Sequence, residues 1–272
     1  MKTFGLIGYP VEHSLSPEMQ ETGLEELGIN GRYCLYPVED GDVEQALKGA
    51  FALGIDGLNV TIPHKQAVAE SEMVETSELA ERIGAVNTVE FTDNGIRGYN
   101  TDARGARRAL ERHEVDIEGS EAVVVGAGGA SRAISFMLAD SGAEVSIANR
   151  TYGKAEELAE NVSRMGDASG HPLEDLEELV GKADILVNAT SVGMEEDRSV
   201  VPAEHLHSDL TVLDAVYRPL ETKLLRDAER KGAKTVDGAW MLLYQGTEAF
   251  EIWTGREAPV DAMNQALRDE LE

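Results

Sequence analysis

The sequence predicts an α/β protein of two lobes, and three observations carry the prediction. Short apolar runs alternate with helix-period segments through most of the chain, the pattern of parallel strands joined by crossover helices. These units form two series, one before and one after Gly119. With 272 residues and 42% hydrophobic content, the chain can bury one large core or two modest ones.

In the first series, strands are expected at Thr3 to Gly8, Arg32 to Pro37 and Gly57 to Thr61, with helices at Pro17 to Leu27 and Val43 to Leu53 between them. Each βα unit is expected to return the chain to the same edge of its sheet. Val86 to Phe91 and Ile96 to Gly98 read as a hairpin turned at Asp93-Asn94-Gly95, where Asn and Gly tolerate positive φ. Asn100-Thr101-Asp102 then offers N-cap chemistry to a helix at Ala103 to Arg112. The second series reads strand Glu121 to Val125, helix Ser131 to Ala139, strand Glu144 to Ala148 and helix Lys154 to Met165. Strands Asp184 to Asn188 and Thr211 to Val216, helix Lys223 to Lys231 and the short strand Lys234 to Val236 complete it. Two closing helices, Ala239 to Ile252 and Val260 to Leu271, have no strand left to cover and are expected to fold back on the N-terminal lobe.

Composition narrows the function. The 51 acidic side chains against 24 basic ones leave a formal charge of −27, a field that repels a phosphate backbone and argues against nucleic-acid binding. No apolar stretch approaches the roughly 20 residues of a membrane span. The opening residues also lack a signal peptide's apolar region, so a cytoplasmic protein without a membrane partner is expected. The carboxylates are spread along the chain rather than gathered in a tail, which points to a high-salt cytoplasm where counterions screen their repulsion. The single cysteine, Cys34, cannot close an internal disulfide and sits in a strand-like apolar run that suggests a small buried hydrophobe. The six histidines show no metal-ligand spacing, so no metal is expected; His205 and His207, beside Glu204 and Asp209, read as solvated surface.

Gly126-Ala127-Gly128-Gly129-Ala130-Ser131 follows the apolar strand Ala122-Val123-Val124-Val125 directly and precedes a helical pattern. That context suits a pyrophosphate: Gly126 makes the tight turn, Gly128 and Gly129 let it approach the backbone, and the helix N-terminus receives its charge. Ser131 replaces a third glycine with another small residue that can donate a hydrogen bond. At the end of the next strand, 24 residues beyond Gly126, an NAD site usually carries an acid for the ribose hydroxyl; here stands Asn149-Arg150-Thr151. A guanidinium pairs with a 2'-phosphate that an acid would repel, so NADP is expected over NAD, with Lys154 as a second cation.

The N-terminal lobe concentrates polar groups at strand ends. His13-Ser14-Leu15-Ser16-Pro17 places two hydroxyls at the mouth of a helix. In Asn59-Val60-Thr61-Ile62-Pro63-His64-Lys65, alternation puts Asn59 and Thr61 on one face, and Pro63 stops the strand so that Lys65 can turn onto its carboxyl end. Asn87 lies in Gly84-Ala85-Val86-Asn87-Thr88, and Asp102 follows Asn100-Thr101. Together these loops suit a small polyhydroxylated molecule.

These strings, with Asn188-Ala189-Thr190-Ser191, Asp237-Gly238 and Tyr244-Gln245-Gly246, resemble the shikimate dehydrogenase family over nearly the whole chain and in the same order. The resemblance implies an N-terminal α/β substrate domain, residues 1–102 completed by C-terminal helices at 240–272, facing a Rossmann-like doubly wound NADP-binding domain at 103–239 across a cleft that closes. It implies reversible NADPH-dependent reduction of 3-dehydroshikimate to shikimate, in the pathway to the aromatic amino acids. By position, Ser14 and Ser16 hold the substrate carboxylate, and Asn59, Thr61, Asn87 and Gln245 hold hydroxyls or the reacting oxygen. Lys65 and Asp102 are the catalytic pair, Tyr217 contacts the carboxylate, and Gly238 offers a backbone contact to the nicotinamide. Thr190 and Met241 join the glycine turn and the Asn149-Arg150-Thr151 segment as cofactor residues; Ala215 is smaller than expected beside the nicotinamide. A homodimer is the macromolecular assembly considered.

The chemistry also stands without the family. Hydride addition to a ketone builds negative charge on its oxygen, which calls for a proton donor within about 3 Å and a positive field. Lys65 supplies both, with Asp102 orienting it and accepting from a substrate hydroxyl. Gly-x-Ser-x-Gly and Walker patterns are missing, which removes hydrolase and kinase readings. Two rivals stay open: a quinate/shikimate dehydrogenase that uses NAD or accepts quinate, and a catalytically silent metabolite sensor, against which retention of Lys65 and Asp102 tells.

Overall fold

A computed structural model describes residues 1–271, which divide into two compact units: Met1–Asp102 with Leu243–Glu270, and Ala103–Leu242. In the first unit the chain runs β1 (Lys2–Gly8), α1 (Ser16–Glu26), β2 (Gly31–Pro37), α2 (Val43–Leu53), β3 (Gly57–Val60), α3 (Lys65–Glu70), β4 (Val74–Thr76), α4 (Glu78–Ile83), β5 (Thr88–Thr92) and β6 (Gly95–Tyr99). The six strands make one sheet in the order β2-β1-β3-β5-β6-β4. Strand β1 is parallel to both β2 and β3, while β5 runs antiparallel to β3 and β6.

The expectation that successive units return to one edge is corrected here, because β2 and β3 flank β1 on opposite sides. A central position suits β1, whose last five residues are all buried. Elements α3, β4 and α4 had no counterpart in the expected order. Each is six residues or fewer, too short for a hydrophobic period to register. Leu47, Val60, Val68 and Val86 form part of the core on one side. Elsewhere on the sheet, Phe4 stacks on Trp253 with ring centroids 4.9 Å apart, and the indole N–H donates to the Val89 carbonyl at 2.9 Å. Burial of one such side chain contributes roughly 2–3 kcal/mol. Trp253 belongs to α10 (Gly238–Thr254), and the last helix, α11 (Val260–Asp269), packs on α1. Edge strand β2 turns Tyr33 inward and Cys34 outward, so Cys34 is exposed rather than buried: strand alternation decided its side, not its apolar neighbours.

The second unit continues with α5 (Asp102–Arg112), β7 (Glu121–Val125), α6 (Gly129–Asp140), β8 (Glu144–Ala148), α7 (Tyr152–Val162), β9 (Ala168–His171), α8 (Leu176–Val180), β10 (Ile185–Asn188), β11 (Thr211–Asp214), α9 (Lys223–Arg230) and β12 (Lys234–Val236). All neighbouring strands pair in parallel, in the order β9-β8-β7-β10-β11-β12. Reading outward from β7, this is the doubly wound order, with its reversal between β7 and β10. Val123, Leu186 and Val212 meet Leu176, Leu206 and Leu224 in its core. Strand β9 and helix α8 were not expected, since Ala168-Ser169-Gly170-His171 carries no apolar alternation. The histidines are also more engaged than a solvated surface implies: a ring nitrogen of His207 lies 3.0 Å from the Val180 carbonyl, and His205 lies 3.9 Å from Glu177. Among the described residues no helix is long and apolar enough to cross a membrane.

Candidate active site

Backbone geometry at the end of β3 sets the first group of side chains. The chain leaves the sheet at Val60, Pro63 prevents further pairing, and α3 begins at Lys65. From there the Lys65 ammonium donates to Asp102 Oδ2 at 2.6 Å, with the two side chains only 14% and 6% exposed. Asn87 Nδ2 donates to the other carboxylate oxygen at 2.8 Å and to Thr101 Oγ1 at 3.0 Å, while its Oδ1 accepts the Thr101 N–H at 2.7 Å. The Thr101 contact fixes which end of the Asn87 amide faces Asp102. Gln245 Oε1, on α10, lies 3.5 Å from the same Nδ2. An ion pair so withdrawn from water interacts strongly and holds one geometry.

Of the other sequence-predicted substrate residues in this unit, Asn59 is tied to the cluster through Asn87. Ser14 Oγ donates to Ser16 Oγ at 3.2 Å, at the start of α1. Asn59 is buried and gives its Nδ2 hydrogens to the Asn87 carbonyl and to Thr88 Oγ1, at 3.2 and 3.1 Å. Thr61 stands apart: it lies past the end of β3, half-buried, and among the described residues no side-chain hydrogen bond ties it to the cluster. Sequence reasoning missed Tyr33, Thr88 and Thr101, all buried and all bonded to Asn59 or Asn87. The available signal was positional, since Thr88 follows Asn87 directly and Thr101 precedes Asp102.

The second group lies wholly in the other unit, at the carboxyl ends of β7, β8, β10 and β11. Gly126 has φ 119°, and a Cβ there would lie 2.7 Å from Ser131 Oγ and 3.0 Å from the Ala189 carbonyl, so the turn requires glycine. Ser131 is fully buried and gives its hydrogen to Ala189 O at 3.3 Å, tying the glycine turn to the loop after β10. Gly128 occupies the N-cap of α6 without a side-chain acceptor, the space beside its Cα is open, and Gly129 and Ala130 begin the helix. In a chain with 51 acids, neither α6 nor α7 has one in its first turn. Arg150, Thr151 and Lys154 are exposed where β8 passes into α7, with Asn149 Nδ2 bracing the turn on the Thr151 carbonyl at 2.9 Å. Two positive helix ends, an open glycine backbone and exposed cations fit the pyrophosphate and 2'-phosphate of NADP. Ala127 lies half-buried in the same turn.

Around the β10 and β11 ends, Thr190 gives both its N–H and its hydroxyl to Asn188 Oδ1, at 3.1 and 2.7 Å. Gly238 is closed in: a Cβ there would lie 2.6 Å from the Val216 carbonyl and 2.7 Å from that of Asp214. Met241 is buried, and Tyr217 and Ala215 are half-buried in the segment after β11. Desolvation raises the Tyr217 phenol pKa, against a smaller opposing pull from Arg218. That segment leaves the sheet earlier than expected because the Asp214 carboxylate captures the Val216 N–H at 3.0 Å. Asp214 also accepts from Asn188 Nδ2 at 2.8 Å and Thr222 Oγ1 at 2.6 Å.

Burial pushes the Asp214 pKa up to about 6 from 3.8, outweighing its three donors. A raised carboxylate pKa means that the folded state holds the proton more tightly, so ionisation costs stability as pH climbs between those values. The expected result is that Asp214→Asn gains stability relative to the unmodified chain from pH 4 to 6.5 and levels off above it. The full gain is roughly 3 kcal/mol. Urea unfolding of both proteins across this range measures it, and a pH-independent difference would contradict the assignment.

A doubly wound unit with a glycine turn at its switch point, joined in one chain to a unit carrying a buried lysine–carboxylate pair, defines a nicotinamide-dinucleotide-dependent dehydrogenase of the α/β class. Family models agree: shikimate dehydrogenase substrate binding domain over residues 6–89, shikimate/quinate 5-dehydrogenase over 107–210, and shikimate 5'-dehydrogenase C-terminal domain over 238–268. Over 272 residues the chain is 61% identical to the shikimate dehydrogenase (NADP(+)) of Haloarcula marismortui, with all of both chains covered. It is 40% identical to the crystal structure of shikimate 5-dehydrogenase from Thermus thermophilus in complex with NADP(H) and shikimate, with TM-score 0.90 and 99% of each chain covered. Quinate dehydrogenase from Corynebacterium glutamicum in complex with NAD is 32% identical at TM-score 0.92, covering 98% of this chain and 99% of that one. The chain belongs to the shikimate dehydrogenase family.

Proposed function

We propose that this protein interconverts 3-dehydroshikimate and shikimate with NADP, the observation that carries the reading being the buried Lys65–Asp102 pair at 2.6 Å. Residues 1–102 with the C-terminal helices form the substrate domain, and residues 103–239 the NADP domain. NADPH, when bound, supplies the hydride. Lys65 gives a proton to the ketone oxygen as charge builds there, and in the reverse direction it takes the hydroxyl proton. Asp102 accepts one of the three ammonium hydrogens, which aims the others, and it accepts in turn from a substrate hydroxyl. Ser14 and Ser16 at the mouth of α1 hold the carboxylate, joined by the Tyr217 phenol. Asn59, Thr61, Asn87 and Gln245 hold the ring oxygens. On the cofactor side, Gly126 to Ser131 take the pyrophosphate, Asn149, Arg150, Thr151 and Lys154 the adenosine phosphate, and Thr190, Gly238 and Met241 the nicotinamide end.

The same reading makes this a cytoplasmic biosynthetic enzyme whose partners are its small molecules and, in a homodimer, its own copy. Its net charge of −27 gives nucleic acid no place. A matrix of shikimate and quinate against NADP and NAD, at low and molar salt, tests the function. Shikimate with NADP at molar salt is expected to be fastest, by at least about tenfold over NAD, the value of one charge-assisted phosphate contact. Faster quinate oxidation with NAD would favour the quinate enzyme, and no NADPH formation in any cell of the matrix would leave the sensor.

A further inference from the structure

We propose that Tyr33 is a positioning residue whose hydroxyl fixes the orientation of the hydroxyl-binding Asn59. The inference rests on the functional reading above and refines it. Tyr33 faces inward from β2 and is 4% exposed. Its hydroxyl donates to Asn59 Oδ1 at 2.8 Å. Beyond Asn59 the donors keep one direction: Asn59 Nδ2 gives to Thr88 Oγ1 at 3.1 Å, Thr88 to Asn87 Oδ1 at 3.2 Å, and Asn87 Nδ2 to Asp102 Oδ1 at 2.8 Å. A chain of bonds with one polarity runs from Tyr33 to the carboxylate that holds Lys65, and each link polarises the next. Tyr33, on β2, begins that chain, and its first bond reaches across β1 to Asn59 on β3. Burial drives its phenol far above the ordinary pKa, so it stays a donor. The two ends of an asparagine amide have nearly the same shape, and a fixed donor at one end decides which way the group faces. The ring itself is held by packing, with Trp253 6.4 Å away, so phenylalanine can keep its place.

Tyr33→Phe therefore deletes the donor to Asn59 while sparing the core. One lost hydrogen bond corresponds to about a fivefold rise in shikimate KM and in its Kd by calorimetry. The KM for NADP is expected to stay unchanged and kcat to fall less than KM rises. In the Asn59→Ala background, the tyrosine change is expected to cost less than about twofold, because its target is gone. Unchanged shikimate parameters, the same fivefold factor in that background, or an equal loss for NADP would each overturn the proposal. If the unmodified protein binds shikimate without oxidising it, the activity fails and Tyr33 is still judged on Kd; if it does not bind shikimate, both fall.

Discussion

Replacing Lys65 with alanine is expected to lower the turnover of shikimate at least about 100-fold, the lower end for removing a general acid or base, while shikimate KM changes by much less. The asymmetry follows from where the ammonium acts. Under the proposed function the substrate is held in the ground state by hydroxyl and amide donors spread over three strand ends and two helices, with Lys65 one contact among several. In the proposed transition state the reacting oxygen carries a growing negative charge, and Lys65, the cation of the Asp102 ion pair, is the group assigned to meet it. An interaction that strengthens only along the reaction coordinate appears in kcat. Asp102 would lose its counterion, yet Asn87 still donates to its Oδ1 at 2.8 Å, so a folded variant is expected. Thermal unfolding measured beside the steady-state rates separates lost chemistry from lost structure. Turnover within tenfold of the unmodified protein would remove Lys65 from the mechanism.

How much of this was legible in the sequence depended on whether a polar residue interrupts an apolar pattern. Asn59 and Asn188 stand at the ends of apolar strands, where a polar side chain has no packing reason to be, and the glycine turn after Val125 has a strand before it and a helix after it. Such breaks are visible in one dimension. The meeting of Lys65 with Asp102, 37 residues apart in the chain, is not: their spacing carried no geometry, and the pair was joined through the family resemblance. Tyr33 was invisible for the opposite reason, since an inward tyrosine on an edge strand has the periodicity of a core residue and only its hydroxyl contact separates the two roles. Cys34 reversed sides because strand alternation, set by Tyr33, outranked its own apolarity. Asp214 was hidden inside an expected strand that its own carboxylate terminates. The short elements α3, β4 and α4 lie below the length at which a hydrophobic period can be counted.

Arg150→Asp is expected to lower kcat/KM for NADP about 100-fold while NAD changes by no more than a few-fold, so that the preference narrows or inverts. Two effects add for NADP: the loss of a charge-assisted bond to the 2'-phosphate, and a carboxylate placed against a dianion. For NAD the second effect reverses sign, because an acid at this strand end accepts from the ribose hydroxyl. Position decides the size. Arg150 is exposed between the end of β8 and the acid-free first turn of α7, where the helix end already favours an anion. The surrounding protein carries a net charge of −27 and opposes a phosphate at every distance that salt does not screen. The penalty should therefore shrink as salt rises towards molar concentrations, where the long-range field is screened and the short direct contact is less affected. A surface arginine with no ligand would lower both cofactors equally or neither, and that outcome in paired NADP and NAD titrations would take the 2'-phosphate away from this turn.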